Sequence, residues 1–156
     1  MKKRFFLSVL AHSFLCPIAQ SCDAYQRTME SIEYWNSYNF SDGFTKAIDK
    51  WYAPEGKITM GLLTTSPKAF FDEFPLDITK LRIDVRDIDC AADDEWCHLR
   101  VFTTYYHSSG VTVSLPQYWT YLYDPVTCLW AHYFILAHSN DLDQLRDVMS
   151  PKHQEL

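Results

Sequence analysis

The chain has 156 residues, a formal charge of −6 at neutral pH and an aromatic content of 16%. The acidic balance argues against nucleic acid or anionic lipid as partner, because both carry dense negative charge. The length bounds the chain to one domain with a sizeable core, and the aromatics are available both for that core and for lining a small-molecule pocket.

The first element in chain order is a leader. Lys2, Lys3 and Arg4 precede an apolar run from Phe5 to Leu15, and Cys16, Pro17 and small or polar residues follow. This is the order of a secretory signal peptide. The run is too short for a membrane anchor, which needs roughly 20 apolar residues. Ala19-Gln20-Ser21 fits small-x-small cleavage before Cys22, and Cys22-Asp23-Ala24 is a second option. The expected organisation is a signal peptide over residues 1–21, one domain over 22–150 and a tail over 151–156. Losing the leader removes three positive charges and no negative one, so the formal charge moves from −6 to −9. Four cysteines then remain: Cys22, Cys90, Cys97 and Cys128. An even number in an oxidising compartment predicts disulfides. Cys90 and Cys97 flank a short connection and can meet across it, which leaves Cys22 and Cys128 as the second pair. A zinc site is the rival reading, without the usual Cys-x-x-Cys or His-x-x-x-His spacing behind it.

The spacing of Met29, Ile32 and Trp35, with Tyr25 and Tyr38 near the same stripe, predicts a helix over 25–40. A second helix carries Phe44, Ala47, Ile48 and Trp51 at i, i+3, i+4, i+7 and ends at a Pro54-Glu55-Gly56 turn. A short strand follows over 57–61. Ser66-Pro67 opens a short helix with Ser as N-cap and Pro in the first turn; it carries Phe70, Phe71 and Phe74 and stops at Pro75. The remainder alternates as strand. Leu81, Ile83 and Val85 alternate with charged residues, residues 96–107 are β-branched and aromatic, and Ser108-Ser109-Gly110 turns. Residues 111–123 form a strand in which Pro116 predicts a bulge or an edge. Asp124-Pro125-Val126 turns into a strand over 128–137, and a final helix is expected over 141–149. Helices first and an antiparallel meander after give an α+β fold with the helices on one face of the sheet. If the sheet curves strongly, the result is a cone with an interior pocket.

The run Glu33 to Asp42 (Glu-Tyr-Trp-Asn-Ser-Tyr-Asn-Phe-Ser-Asp), the run Ile48 to Ile58 with its Trp51-Tyr52-Ala53-Pro54-Glu55-Gly56 turn, Leu99-Arg100-Val101, and the series Trp119, Asp124, Trp130 together resemble the nuclear transport factor 2-like, or ketosteroid isomerase-like, superfamily over most of residues 25–138. The resemblance leans toward scytalone dehydratase-like enzymes and small fungal polyketide cyclases. It implies a cofactor-free enzyme on a small apolar molecule, and a homodimer. Dehydratases of this type use a Tyr-Asp pair after the first helix and histidines on two strands. Here Tyr38-Asn39 stands at the pair and Thr103 at one histidine position, so the tyrosine carries over while the carboxylate and that histidine do not. The carboxylate base and oxyanion hole of the ketosteroid isomerases match no residue set in this chain.

The catalytic candidates are His107, His132 and Tyr38. If Thr103 faces inward, alternation puts Val101, Tyr105 and His107 on the same face, with His107 near the pocket mouth as a general base; a surface histidine beside the 108–110 turn is the plainer alternative. His132, in mid-strand, is either a base or a packed sheet-face histidine. Tyr38 and Tyr118 could donate to a carbonyl or could simply pack. Thr103, Tyr105, Tyr118 and Trp35 are the substrate-binding candidates. Asp49 and Asp84 read better as solvated ion pairs. Asn39-Phe40-Ser41 is an N-glycosylation sequon, usable in a lumenal chain. The tail His153-Gln154-Glu155-Leu156 resembles an endoplasmic-reticulum retrieval signal with Gln in place of Asp, or is an ordinary frayed end. The leading expectation is thus a lumenal isomerase, cyclase or dehydratase of an apolar carbonyl compound such as a polyketide, in one version anhydride-bearing, working by enolisation with a His base and Tyr donors. A hydrophobe carrier and a secreted interaction module are the alternatives. Two or more polar groups converging in the cone would favour the enzyme, an apolar cavity with at most one would favour the carrier, and a cone interior without His, Asp or Glu would defeat the proton-transfer reading.

Overall fold

The computed structural model describes residues 22–74, 77–138, 140, 141 and 143. The leader, the body of the helix expected over 141–149, and the retrieval-like tail lie outside the described residues.

Helix α1 spans Ala24–Asn36 and is started by Asp23, whose carboxylate accepts from the Gln26 N–H at 2.8 Å. Its buried face is Ala24, Thr28, Ser31, Ile32 and Trp35, while Tyr25 is 53% exposed. The expected stripe is therefore rotated, because two hydroxyl residues take inward positions. They are satisfied there: Thr28 Oγ1 lies 2.6 Å from the Tyr123 hydroxyl, and Ser31 Oγ donates to the Thr28 carbonyl at 2.7 Å. A 3₁₀ turn over Phe40–Asp42 follows, then α2 over Thr45–Trp51 and strand β1 over Tyr52–Met60.

The expected Pro54-Glu55-Gly56 turn is instead part of β1. Tyr52 pairs with Trp130 and Lys57 with His132, so the register shifts between them and β1 bulges. Gly56 is required there by close approach: a Cβ would stand 2.8 Å from the Ala53 carbonyl oxygen and 3.0 Å from that of Trp130. A hairpin turn at Gly61-Leu62 leads to β2 over Leu63–Thr65, and α3 spans Pro67–Asp72 with the Ser66 hydroxyl accepting from the Ala69 N–H, as the Ser-Pro start predicts. The meander follows as β3 (Ile78–Cys90), β4 (Trp96–His107), β5 (Thr112–Tyr123) and β6 (Trp130–Ala137).

Among the described residues the sheet has six strands in the order β2-β1-β6-β5-β4-β3. The meander is antiparallel, as expected, but β1 runs parallel to β6, so the whole sheet is mixed. Register shifts in β3 between Val85 and Asp87 and in β5–β6 after Leu122 bend it. The three helices pack on its concave face and complete an α+β cone. Asn36 fixes α1 to the edge strand: its amide donates to the Ile83 carbonyl at 3.1 Å and accepts the Ile83 N–H at 2.6 Å. Pro116 causes no bulge between β4 and β5; the β6 ladder stops at Gln117, so β5 is locally an edge there. Both expected cysteine pairs are disulfides, Cys22–Cys128 and Cys90–Cys97. That decides between disulfide and zinc for these thiols and fits an oxidising compartment, secretory or extracellular. Among the described residues no helix is long and apolar enough to cross a membrane.

Candidate functional site

The cone encloses a cavity of about 1170 Å³, large for a small-molecule pocket. Inward-facing residues of β4, β5 and β6 make its base: Tyr105, Gln117, Trp119, Tyr121 and Tyr133. Trp35 of α1 and the phenylalanines of α3 make one wall, and the Met60–Thr65 hairpin makes the rim, where Leu62 and Leu63 are exposed. The α3 wall is an aromatic stack. Phe71 lies parallel to Trp35 and Phe44 at centroid distances of 5.6 and 4.7 Å, and Phe40 stacks on Phe74.

Alternation along β5 explains the base. Val113, Leu115, Gln117, Trp119, Tyr121 and Tyr123 point inward and are buried, while Ser114, Pro116 and Tyr118 point out. Gln117 is the polar exception in that inward row, and its amide is held in one orientation. Trp119 Nε1–H can only donate, and it donates to Gln117 Oε1 at 3.1 Å. The amide nitrogen is thereby turned toward Tyr105, whose hydroxyl oxygen accepts from it at 3.2 Å. The Tyr105 O–H is left to donate. Burial pushes the Tyr105 phenol up to about 12, with the Gln117 hydrogen bond acting the other way. Tyr52, Tyr121 and Tyr133 are raised well above the usual tyrosine range, in each case chiefly by burial. All four phenols are therefore neutral donors near pH 7. Among the described residues no histidine or aspartate lines the cavity, and the carboxylate there is Glu73, which is exposed at the rim.

Of the residues singled out from sequence, Tyr105 and Trp35 line this cavity. Thr103 shares Tyr105's face and is fully buried, but it lies between Ile83 and Leu115 in the sheet and does not line the cavity. The other expectations of an inward position are corrected. His107 ends β4 with its side chain used by the turn: Nδ1 accepts from the Ser109 N–H at 3.1 Å and lies 2.7 Å from Ser109 Oγ, and Nε2 is 3.8 Å from Asp77. His132 faces the outside of the cone because its neighbour Tyr133 faces in; it bonds Thr59 Oγ1 at 2.7 Å and stacks on Phe134. Partial burial, then the nearby Lys57, lower its pKa. Tyr118 is 60% exposed, opposite the inward Gln117 and Trp119. Tyr38 donates its hydroxyl to the Gly43 carbonyl and packs between Trp35, Phe40 and Phe44, so it closes the 38–43 loop. Asp84 pairs with Arg82 at 3.2 Å, as the ion-pair reading expects, and Asp49 is exposed. Sequence reasoning missed Gln117, Trp119, Tyr121, Tyr133 and Tyr52. The available signal was the row in β5, where a single amide interrupts inward apolar positions.

No family model matches the chain, and neither does any curated protein. Solved structures do match its fold. An NTF2-like protein of unknown function from Burkholderia pseudomallei superposes with a TM-score of 0.62 at 13% identity over 78% of this chain and 95% of that one. A candidate SnoaL-like polyketide cyclase from Shewanella denitrificans gives 0.62 at 12% identity, over 80% and 97%. AclR, a candidate hydroxylase from Streptomyces galilaeus, gives 0.61 at 16% identity, over 82% of each chain. At these identities the likeness is one of architecture: the chain has the NTF2-like cone fold, as the sequence resemblance implies.

Proposed function

We propose that this chain is a cofactor-free enzyme of the cyclase or isomerase type that takes an apolar, carbonyl-bearing molecule of polyketide character into the cone. The observation that carries the reading is the Trp119–Gln117–Tyr105 relay, an oriented donor in a cavity lined mostly by aromatic and aliphatic side chains. Cyclase-type proteins among the structural neighbours support the same class. Among the described residues the interior holds no histidine and no buried carboxylate, so the His-based enolisation expected from sequence gives way to donor catalysis. Tyr105 O–H hydrogen-bonds the substrate carbonyl and strengthens that bond as an oxyanion develops. The substrate's own hydroxyl or enol carbon adds to the polarised carbonyl, forming the ring bond. The nucleophile's proton leaves to water, and the oxyanion takes a proton back from water. The aromatic walls fold a flexible substrate so that its two ends meet, which lowers the entropic part of the barrier.

The test is ring closure or double-bond migration in a panel of linear and monocyclic poly-β-ketones, followed by mass spectrometry and ultraviolet absorbance. Tyr105→Phe keeps the cavity's shape and removes the donor. It is expected to lower kcat by about 10²-fold with little change in binding, the scale of losing one oxyanion donor. Full activity in Tyr105→Phe would sink the assignment. The apolar character of the lining favours a second reading, a carrier. On that reading the bound ligand is recovered chemically unchanged from every member of the panel. The two disulfides support action in an oxidising compartment, and the leader and His-Gln-Glu-Leu tail would carry the chain into the endoplasmic reticulum and hold it there.

A further inference from the structure

We infer that Asn39 carries an N-linked glycan at the edge of the cavity mouth. Asn39-Phe40-Ser41 is the chain's only Asn-x-Ser/Thr sequence, and the fold leaves Asn39 exposed, in the loop between α1 and the 3₁₀ turn. The side chain is already arranged to bear a sugar without losing a partner. Its Oδ1 accepts from the Ser41 hydroxyl at 2.9 Å and from the Ser41 N–H at 3.3 Å. Its Nδ2 donates to Asp42 Oδ1 at 3.1 Å. Nδ2 has two hydrogens, and glycosylation replaces one of them. The other keeps the Asp42 bond, and both acceptor bonds at Oδ1 are untouched.

The compartment is argued independently. Cys22–Cys128 and Cys90–Cys97 are disulfides, which form where glycosylation enzymes also work. In the transfer step Asn39 Nδ2 attacks the anomeric carbon of a sugar held on a lipid pyrophosphate. The N–C bond forms, the C–O bond breaks, the lipid pyrophosphate leaves with the electron pair, and one Nδ2 proton goes to the transferase's base. The glycan's position has a consequence for the cone. Phe40, the middle residue of the sequon, lines the cavity and stacks on Phe74, just past the end of α3. The sugar would stand beside that wall and leave the Met60–Thr65 hairpin side as the open approach. This inference does not depend on the catalytic reading.

The experiment expresses the full chain through a eukaryotic secretory pathway and treats it with peptide-N-glycosidase. The expected result is a single-step loss of mass with aspartate replacing Asn39 in the peptide spectrum. The shift is expected to be absent in Asn39→Gln and Ser41→Ala and kept in Ser41→Thr. Non-reducing peptide mapping of the two disulfides reports in parallel that each variant has folded in the lumen. Wild-type chain that forms both disulfides yet shows no glycosidase shift would overturn the inference, and so would chain that reaches the medium or lumen without either mark.

Discussion

Gln117 sits in a strand whose inward neighbours are apolar or aromatic, and its cost and its use come from the same fact. A buried amide must have partners, and the two it has fix which end points where. The donor-only indole of Trp119 on one side and the Tyr105 hydroxyl on the other make a chain with one free proton at its end. The pH dependence of the proposed reaction follows from this. Burial pushes Tyr105 up to about 12, and the other inner phenols lie well above the ordinary tyrosine value, so none of these four described groups changes charge across the neutral range. The rate should be flat from about pH 6 to pH 9, whereas a histidine base would impose a limb near pH 6.5. A kcat/KM profile with such a limb, abolished by His107→Ala or His132→Ala, would restore the sequence-based assignment. That assignment was drawn from residue type, since histidine is the side chain that most readily moves protons at neutral pH. Type could not say which face of the pleat His132 and Tyr118 occupy, because a one-residue change of phase moves a side chain from the cavity to the outside.

At the scale of elements, the Ser66-Pro67 helix start and the limits of β4 were legible because capping and period-two alternation are local signals. The bulge in β1 was not. Pro54, Glu55 and Gly56 are turn formers locally, and their place in a strand is decided by pairing with β6, more than 70 residues away along the chain. The same geometry sets a prediction. In Gly56→Ala the added methyl meets two backbone carbonyls that cannot move aside as a flexible side chain would. A loss of about 1–3 kcal/mol in urea unfolding is expected. A neutral result would mean that the β1 bulge is not held as tightly as its contacts with Ala53 and Trp130 imply. The rotated face of α1 has a similar cause. Thr28 and Ser31 look solvent-facing by type, and they are buried because Tyr123 and a helix carbonyl supply the partners that water would otherwise provide.

At the scale of the molecule, the same buried phenols limit alkaline stability. Tyr52, Tyr105, Tyr121 and Tyr133 have raised pKa values in the fold, against about 10 when unfolded. Between the unfolded and folded values the native state holds more protons, so stability falls as pH rises. The contribution is whole below pH 10, and each such tyrosine then subtracts about 1.4 kcal/mol per pH unit until its folded value is passed. Urea midpoints should be level from pH 7 to about 9.5 and drop steeply above pH 10, and a level curve to pH 11 would contradict the burial of these hydroxyls. The disulfides act on the unfolded chain instead. Cys22–Cys128 spans 106 residues and Cys90–Cys97 spans 7. On chain-entropy grounds the paired Cys22→Ser/Cys128→Ser variant should lose about 4–5 kcal/mol and Cys90→Ser/Cys97→Ser about 2–3 kcal/mol. Guanidinium unfolding of the two variants side by side checks the order.

The parallel pairing of β1 with β6 also governs when the cavity can come into being. Strands β3 to β5 can assemble through near neighbours as they emerge, but β1 has no sheet partner beyond the three-residue β2 until β6 is made. The cone is therefore closed by the last of the described strands to be synthesised, through contacts of high sequence separation, which are slow to form. Until that moment the aromatic walls stand open to solvent. The Cys22–Cys128 bond ties the start of α1 to the segment just before β6, and once formed it shortens the search that ends with the arrival of that strand.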